Sequence, residues 1–385
     1  MKNCLLLLLL ICSVNVALAQ DQTESRVITT GVPFLMITAD ARAGGMGELG
    51  VSTSADAYSQ QWNPAKYAFA KRQIGVGISY TPYLSKLVND IALLNATVYN
   101  RINYKSAWAA SIKYFSLGDI EFITEAEAIQ GLQPIIERPN ELSIDLSYSL
   151  KLSETFSMAV AGRFLRSDLK IQEEAIDASA ASSFAVDVAG YFQSDEVAYS
   201  SFNGVWRGGF NISNVGPKIK YDDEGRETFL PTNLKLGGGF DFIFDSESSL
   251  GLNVEFNKLL VPTPSDSNGD GRIDSEDDYY NESFFSGMFS SFGDAPDGFS
   301  EELKEVTWAF GAEYNYSEVF ALRTGYFHES EEKGARQFFT LGAGFTFKST
   351  TLDLSYLFST SSVRNPLENT LRFSLTFNLG EYYNY

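Results

Sequence analysis

A twelve-residue stretch of the chain has the residue types and spacing of a calcium-binding loop. In residues 266–277, oxygen ligands stand at loop positions one, three, five, nine and twelve, and position seven offers its carbonyl. Glycine at position six permits the sharp turn that such loops make around the ion. The predicted ligands are Asp266, Asn268, Asp270, Arg272, Asp274 and Asp277. The pattern therefore indicates one structural calcium ion.

Two departures keep a second interpretation of this stretch open. Its last ligand is Asp277 where glutamate is usual, and strand patterns flank it where paired helices are usual. Residues 258–303 also hold eleven Asp or Glu against two Lys or Arg. The alternative is therefore a solvated acidic loop without an ion.

Five large apolar side chains follow at helical spacing within the same loop. An apolar stripe in a loop must pack on its own protein, dip into a membrane or meet a partner. A lid on the protein's own body and a surface for a partner are both compatible with the pattern. The stripe consists of Phe284, Phe285, Met288, Phe289 and Phe292.

Residues suited to catalysis are scarce. His328 is the single histidine, and no nucleophile motif accompanies it. Gly45, Gly47 and Gly50 match a dinucleotide fingerprint by spacing, but that motif works between a strand and a helix of a parallel unit. The sequence around these glycines lacks that context and favours close-packed backbone. We therefore expect no enzyme.

The first residues predict a secreted protein. Residues 1–19 have the order of a signal peptide: first Lys2, then an apolar run from Cys4 to Cys12, and then the small residues Ala17 and Ala19. Both cysteines of the chain lie in it, so we expect no disulfide and no thiolate metal site in the mature protein. The formal net charge of −20 argues against nucleic acid as a partner.

From residue 73 onward the apolar residues recur with a period of two, which indicates antiparallel strands with one apolar face. In the last segment Leu371 and Phe373 alternate with Arg372 and Ser374. Most segments run about 9–12 residues, close to the length that a tilted strand needs to cross a bilayer. Fourteen segments begin near residues 73, 90, 105, 141, 155, 182, 205, 233, 249, 304, 319, 336, 350 and 369.

The connections between these segments alternate in length. Those after even-numbered segments are mostly short, whereas residues 117–140, 214–232 and 258–303 follow odd-numbered ones. Short periplasmic turns alternating with long outer loops are typical of outer-membrane barrels, and 14% aromatic residues suit aromatic girdles. We therefore predict an all-β fold in residues 73–385, a transmembrane antiparallel β-barrel of about fourteen strands in the outer membrane.

Residues 20–72 are rich in Ala and Gly and show little strand pattern. Thr53 and Asp56 resemble a capping box, and Asn63 followed by Pro64 resembles an N-cap with proline at the first helical position. These signals predict a compact N-terminal plug with two short helices inside the barrel. A disordered periplasmic tail is the alternative.

Several stretches of the chain also carry a family resemblance. They are residues 34–47 (FLMITADARAGGMG), 60–69 (QQWNPAKYAF), 258–264 (KLLVPTP), 322–329 (LRTGYFHE) and 365–373 (NPLENTLRF). Together they resemble the PorV family, also called LptO, of the type IX secretion system in the Bacteroidetes group of bacteria. The calcium-like loop is not part of this resemblance.

The resemblance implies a fold and a role. PorV proteins are similar to the FadL fatty-acid transporters, fourteen-stranded barrels with an N-terminal plug. They are non-enzymatic: they associate with the translocon barrel (SprA or Sov), receive the C-terminal domains of exported cargo, and pass cargo to an attachment complex with the PorU sortase. The alternative is a FadL-like channel for hydrophobic small molecules. A lumen filled by the plug would favour the role in secretion. An apolar pocket with a lateral gap in the barrel wall would favour the channel for hydrophobic small molecules.

Overall fold

The computed structural model describes residues 26–84, 90–122, 133–169, 180–221, 227–273, 277–361 and 369–383, so the expected signal peptide lies outside the described residues. Fourteen of the described strands form the wall of a barrel. They are β1 Arg72–Pro82, β2 Ile91–Arg101, β3 Ser106–Leu117, β4 Asn140–Lys151, β5 Phe156–Asp168, β6 Ala181–Gln193, β7 Asn203–Val215, β8 Asn233–Ile243, β9 Ser248–Leu259, β10 Thr307–Tyr316, β11 Phe320–His328, β12 Gln337–Phe347, β13 Thr350–Ser359 and β14 Leu371–Tyr382.

Each strand pairs antiparallel with its neighbour in the chain, and β1 pairs with β14, which closes the ring. Closure gives every strand edge a partner, as a sheet in hydrocarbon requires. Every strand begins within three residues of its predicted start, the largest difference being 304 against Thr307. The predicted fourteen-stranded antiparallel barrel is therefore confirmed.

The two ends of the barrel differ. Short connections, such as residues 317–319 between β10 and β11, meet at one end, here called the turn end. The long connections, including residues 260–306 between β9 and β10, meet at the other, here called the loop end. Short strands lie at both ends of the barrel. At the loop end, Ile120–Phe122 pairs with Ile135–Glu137. At the turn end, Val197–Ala198 pairs with the start of β7.

The wall has an apolar outer face and a polar inner face. Along β4, Ile144 and Leu146 are 44% and 63% exposed, whereas the alternating Asp145 and Ser147 are buried. This is the arrangement expected of strands with lipid outside and a filled lumen inside. Among the described residues, no helix combines the length and the apolar character that a transmembrane helix needs.

The N-terminal segment runs through the ring and contains four one- or two-turn helices. They are the 3-10 helices Pro33–Met36 and Pro64–Phe69 and the α-helices Ala41–Gly44 and Ser59–Trp62. Asn63 caps the last 3-10 helix by accepting a hydrogen bond from Ala65 N, with Pro64 in its first turn, as expected. The expected capping box at Thr53 is wrong, because its hydroxyl donates to the Gly50 carbonyl and starts no helix.

The segment, here called the plug, contacts the wall on several sides. Glu255 of β9 accepts hydrogen bonds from the backbone N–H groups of Gly50 and Val51, both at 2.8 Å. Glycines in the wall let the plug backbone approach closely: a Cβ at Gly209 would lie 2.3 Å from the Val51 oxygen, and one at Gly325 would lie 2.1 Å from the Met46 carbonyl carbon. No other residue type fits at these two positions without moving the plug.

Buried charges tie the plug to the wall as well. Arg42 in the helix Ala41–Gly44 donates to Asp56 at 2.7 Å and to both carboxylate oxygens of Glu313 in β10, at 2.8 and 2.9 Å. The hydroxyl of Ser59 also donates to Asp56, at 3.0 Å. Asp56 and Glu313 together supply the carboxylates that the guanidinium of Arg42 needs where little water reaches it.

Replacing Glu255 with alanine should loosen the plug near Gly50. Two buried charge-assisted hydrogen bonds would be lost, and each is worth about 1.5–3 kcal/mol. We expect the Gly50 and Val51 amides to exchange with solvent at least about 30-fold faster in hydrogen-exchange mass spectrometry. Glu247→Ala, at an exposed position in the turn between β8 and β9, is the control. Unchanged protection in Glu255→Ala would show that the plug does not depend on this contact.

Candidate functional site: the longest loop

The longest connection at the loop end, residues 260–306, carries three short helices. They are Asp278–Asn281, Phe284–Ser290 and Phe299–Lys304. Ser283 caps the second helix by accepting a hydrogen bond from Ser286 N at 3.2 Å, which sets its start. The apolar stripe noted in the sequence therefore lies on and just after a helix, in agreement with its spacing.

The stripe divides between the protein and solvent. Phe285, Phe289 and Phe292 are 57%, 62% and 54% exposed. Phe284 and Met288 are partly buried, and Phe284 packs beside a cluster formed by Phe229, Val261 and Tyr279. Thus the inner side of the helix holds it on the barrel, while three aromatic rings face outward.

A second set of exposed apolar residues lies on the helix Phe299–Lys304. Phe299 is 77% exposed and Leu303 is 57% exposed. Neither residue was predicted as a site from the sequence, although their spacing of four residues places them on one face of a helix. With the three outward aromatic rings they form what is here called the exposed apolar set: Phe285, Phe289, Phe292, Phe299 and Leu303.

The opposite face of the helix Phe299–Lys304 is acidic and buried. Glu301 and Glu302 are 4% and 6% exposed. Glu301 accepts from Lys333 at 2.6 Å and from Arg26 at 2.8 Å, and Glu302 accepts from Lys258 at 2.9 Å. The usual amphipathic order is therefore inverted, with charges inside and apolar side chains outside.

Glu305, just after this helix, completes the network. Its carboxylate accepts from Lys258 at 2.7 Å and from Lys333 at 2.9 Å. For the neighbouring Glu301, burial raises the pKa, but the hydrogen bond from Lys333 and the other donors outweigh it, so the pKa is lowered. The depressed pKa means that this network stabilises the loop near neutral pH and loses that contribution as the pH falls through the acidic range.

The acidic stretch before these helices turns sharply, and the carboxylates of its described residues do not gather around one point. Gly271, at the sixth loop position, has a φ of 81°. Asp266 accepts hydrogen bonds from Gly269 N at 2.7 Å and Gly271 N at 2.8 Å, and Asp277 accepts from Ser267 N at 2.7 Å.

Two other predicted ligands, Asn268 and Asp270, accept hydrogen bonds from nearby backbone N–H groups. The backbone N–H of Arg272 is the donor to Asp270. Asp274 lies outside the described residues. Within the described part of the chain, no three His, Cys, Asp or Glu side chains converge as metal ligands do. Calcium binding therefore stays a prediction.

The remaining residues singled out in the sequence have structural surroundings. His328 stacks on Trp308 with ring centroids 5.1 Å apart, at the end of β11. Gly45 and Gly47 face the wall, where added side chains would meet Gly342 and Tyr326 within about 3 Å. These contacts leave the glycines as close-packed plug backbone.

Residues 20–266 match the family model described as type IX secretion system protein PorV. This chain belongs to the PorV family. It is therefore an outer-membrane component of the type IX secretion system. None of the curated proteins matches the chain.

Two solved structures with a similar fold are of a toluene transporter. A crystal structure of the Pseudomonas putida toluene transporter TodX has a TM-score of 0.50 and 10% identity, covering 91% of this chain and 98% of that one. A second structure of the same transporter has a TM-score of 0.50 and 12% identity, covering 90% of this chain and 100% of that one. At these identities the likeness establishes a FadL-like fold for this PorV-family chain, and the fold alone.

Replacing Lys333 with methionine should release the helix Phe299–Lys304. Glu301 and Glu305 would each lose one of two cationic partners, keeping only Arg26 and Lys258, and each lost charge-assisted hydrogen bond is worth about 1.5–3 kcal/mol. We expect faster cleavage within residues 293–306 in limited proteolysis followed by mass spectrometry. Lys304→Met is the matched control, since Lys304 pairs with Glu332 at a site where both side chains are more than a third exposed. Equal cleavage of the two variants would contradict the anchoring role.

Calcium should protect the acidic stretch if residues 266–277 hold the ion. We expect calcium to slow proteolysis of this stretch in the wild-type protein relative to chelator, and to have no such effect in Asp270→Ala. Extracellular calcium modules bind at about 10⁻⁴–10⁻³ M, so the test needs millimolar calcium. If wild-type protein is cleaved equally in both conditions, the stretch is a solvated acidic loop.

Proposed function

We propose that this PorV-family protein is a non-enzymatic docking component of the type IX secretion system. It associates with the translocon barrel SprA (or Sov), binds the C-terminal domains of exported cargo, and delivers the cargo to the surface attachment complex with the PorU sortase. The observation that carries the proposal is the inverted helix Phe299–Lys304, which buries its acidic face and exposes Phe299 and Leu303.

Exposing these side chains is unfavourable in water. Full burial of a Phe or Leu side chain is worth about 1.5–3 kcal/mol, so a folded loop that leaves five of them largely exposed gains when another surface covers them. Aromatic residues are also enriched at the centres of protein interfaces. Since Lys258 and Lys333 hold the loop in place, the exposed apolar set is presented on a pre-organised support, which lowers the entropic cost of docking.

The filled lumen supports docking over conduction. The plug occupies the ring, and the cavity left beside it measures about 70 Å³ and is lined by polar residues such as Lys113, Arg163 and Lys235 together with a few apolar ones. A path for hydrophobic small molecules requires a predominantly apolar pocket. The FadL-like channel remains the competing function, and it is supported by the fold alone.

The proposal also assigns an orientation. Long connections face the outside in outer-membrane barrels, so the loop end would face the cell surface and the turn end the periplasm. The exposed apolar set would then meet cargo after its passage through the translocon.

Replacing Phe289, Phe299 and Leu303 with serine should block cargo display. Each central aromatic contact at an interface is worth at least about 2 kcal/mol, so the triple variant should bind cargo C-terminal domains at least 100-fold more weakly. The measurement is the amount of cargo on the surface of cells that carry the variant as their sole copy, together with co-purification of cargo and translocon from membranes.

Tyr104→Ser with Leu152→Ser is the matched control, because these side chains are 55% and 59% exposed at the turn end. The control should display cargo normally. If the triple variant displayed cargo normally, the exposed apolar set would not be the cargo surface. If deleting the whole gene impaired only the uptake of a hydrophobic nutrient, the channel function would replace this one.

A further inference from the structure

The cavity beside the plug has an unusual charge for this protein. The chain carries a formal net charge of −20, yet four cationic and two anionic side chains line the cavity. The cations are Lys113, Arg163, Lys235 and Arg336, and the anions are Glu48 and Asp145. An excess of cationic over anionic side chains along the cavity wall favours an anion as its occupant.

Most of these charges already have partners. Arg163 binds Asp145 and Asp187, and Arg336 binds Glu329 at 2.7 Å. Lys235 lies 3.6 Å from a carboxylate oxygen of Glu255. The charges of these three cations are compensated, so they do not by themselves need a further ligand.

Lys113 is different. It is 5% exposed, and among the described residues no carboxylate lies within ion-pair distance of its ammonium group. Its recorded contacts are the plug carbonyls of Leu35 and Ile37, both at 3.3 Å, which is long for a hydrogen bond from nitrogen. Burying an ammonium without a counter-charge is strongly unfavourable.

The residue paired with Lys113 across the sheet is also unsatisfied. Ser143 of β4 stands directly opposite Lys113 of β3 and lines the same cavity. Its side chain is 1% exposed, and its hydroxyl has no hydrogen-bond partner among the described residues. A buried hydroxyl and a buried ammonium thus stand next to each other on the cavity wall with unused donors.

We propose that this cavity binds one small oxyanion, a carboxylate or an inorganic phosphate, between Lys113 and Ser143. Ammonium and hydroxyl groups donate charge-assisted hydrogen bonds to such an ion, and its charge compensates Lys113. When cavity volume is defined in the same way, one water molecule needs about 10–15 Å³. A cavity of about 70 Å³ therefore has room for an ion of a few heavy atoms.

Through Lys113, the proposed anion would be connected to the plug. Lys113 reaches the backbone at the end of the helix Pro33–Met36, so a bound anion would fix the lysine that contacts this part of the plug. Arg336 lines the same cavity and its side chain is 42% exposed near the loop end, so we expect the anion to exchange with the medium on that side.

The test is equilibrium dialysis of the full-length protein in detergent with radiolabelled acetate or phosphate at constant ionic strength. We expect saturable binding of one equivalent of at least one of the two anions. Lys113→Met should weaken this binding at least tenfold, and Ser143→Ala should weaken it several-fold. Lys105→Met, at an exposed position in the turn between β2 and β3, is the control and should bind as wild type does. The acetate and phosphate arms distinguish a carboxylate ligand from a phosphate.

Heat-dependent migration in gel electrophoresis reports whether each variant is folded. If Lys113→Met does not fold, Ser143→Ala decides, since its loss of one hydroxyl leaves the wall packing intact. No saturable binding of either anion to folded wild-type protein would overturn the proposal. The proposal would also be overturned if all three variants bound the anion as the wild-type protein does. It would be overturned as well if Lys105→Met weakened binding as much as Lys113→Met.

Discussion

Every backbone N–H and C=O group of a strand in hydrocarbon needs a partner within the protein, because lipid offers none. In this chain the pairing of β1 with β14 meets that need and closes fourteen strands into a ring. Closure also creates the interior, since a ring of this size encloses more space than its own side chains fill. The polar inner faces of the strands and the plug that binds them are therefore consequences of the same constraint.

Ion pairs and charge-assisted hydrogen bonds hold the plug inside the barrel. Arg42, Glu255 and Glu313 connect the plug to two strands of the wall, and a second ionic network fastens the longest loop above it. Buried ion pairs add little net stability compared with apolar packing, but each needs its own partner in a defined place. They therefore specify one position for the plug and one for the loop, and this rigidity suits a surface that presents exposed rings to another protein.

The strands could be predicted from the sequence because the alternation of apolar and polar residues is local, as in Leu371–Tyr382. The orientation of the helix Phe299–Lys304 could not. Glu301 and Glu302 resemble a solvated face, and Arg26, Lys258 and Lys333, all distant in the sequence, turn that face inward. Thr53 failed as a helix cap because its hydroxyl donates to the Gly50 carbonyl and accepts from Lys66. The cations that turn the acidic face inward are far away in the sequence, and no local pattern contains them.

The course of the plug connects the two ends of the barrel. Arg26 contacts Asp297 and Glu301 at the loop end, whereas Lys71, just before β1, lies at the turn end, so the segment traverses the whole ring. The same segment binds Glu255 of β9 and Glu313 of β10 from within. A displacement of the plug at one end would therefore strain contacts along its whole length, which makes the plug a mechanical link between the turn end and the loop end.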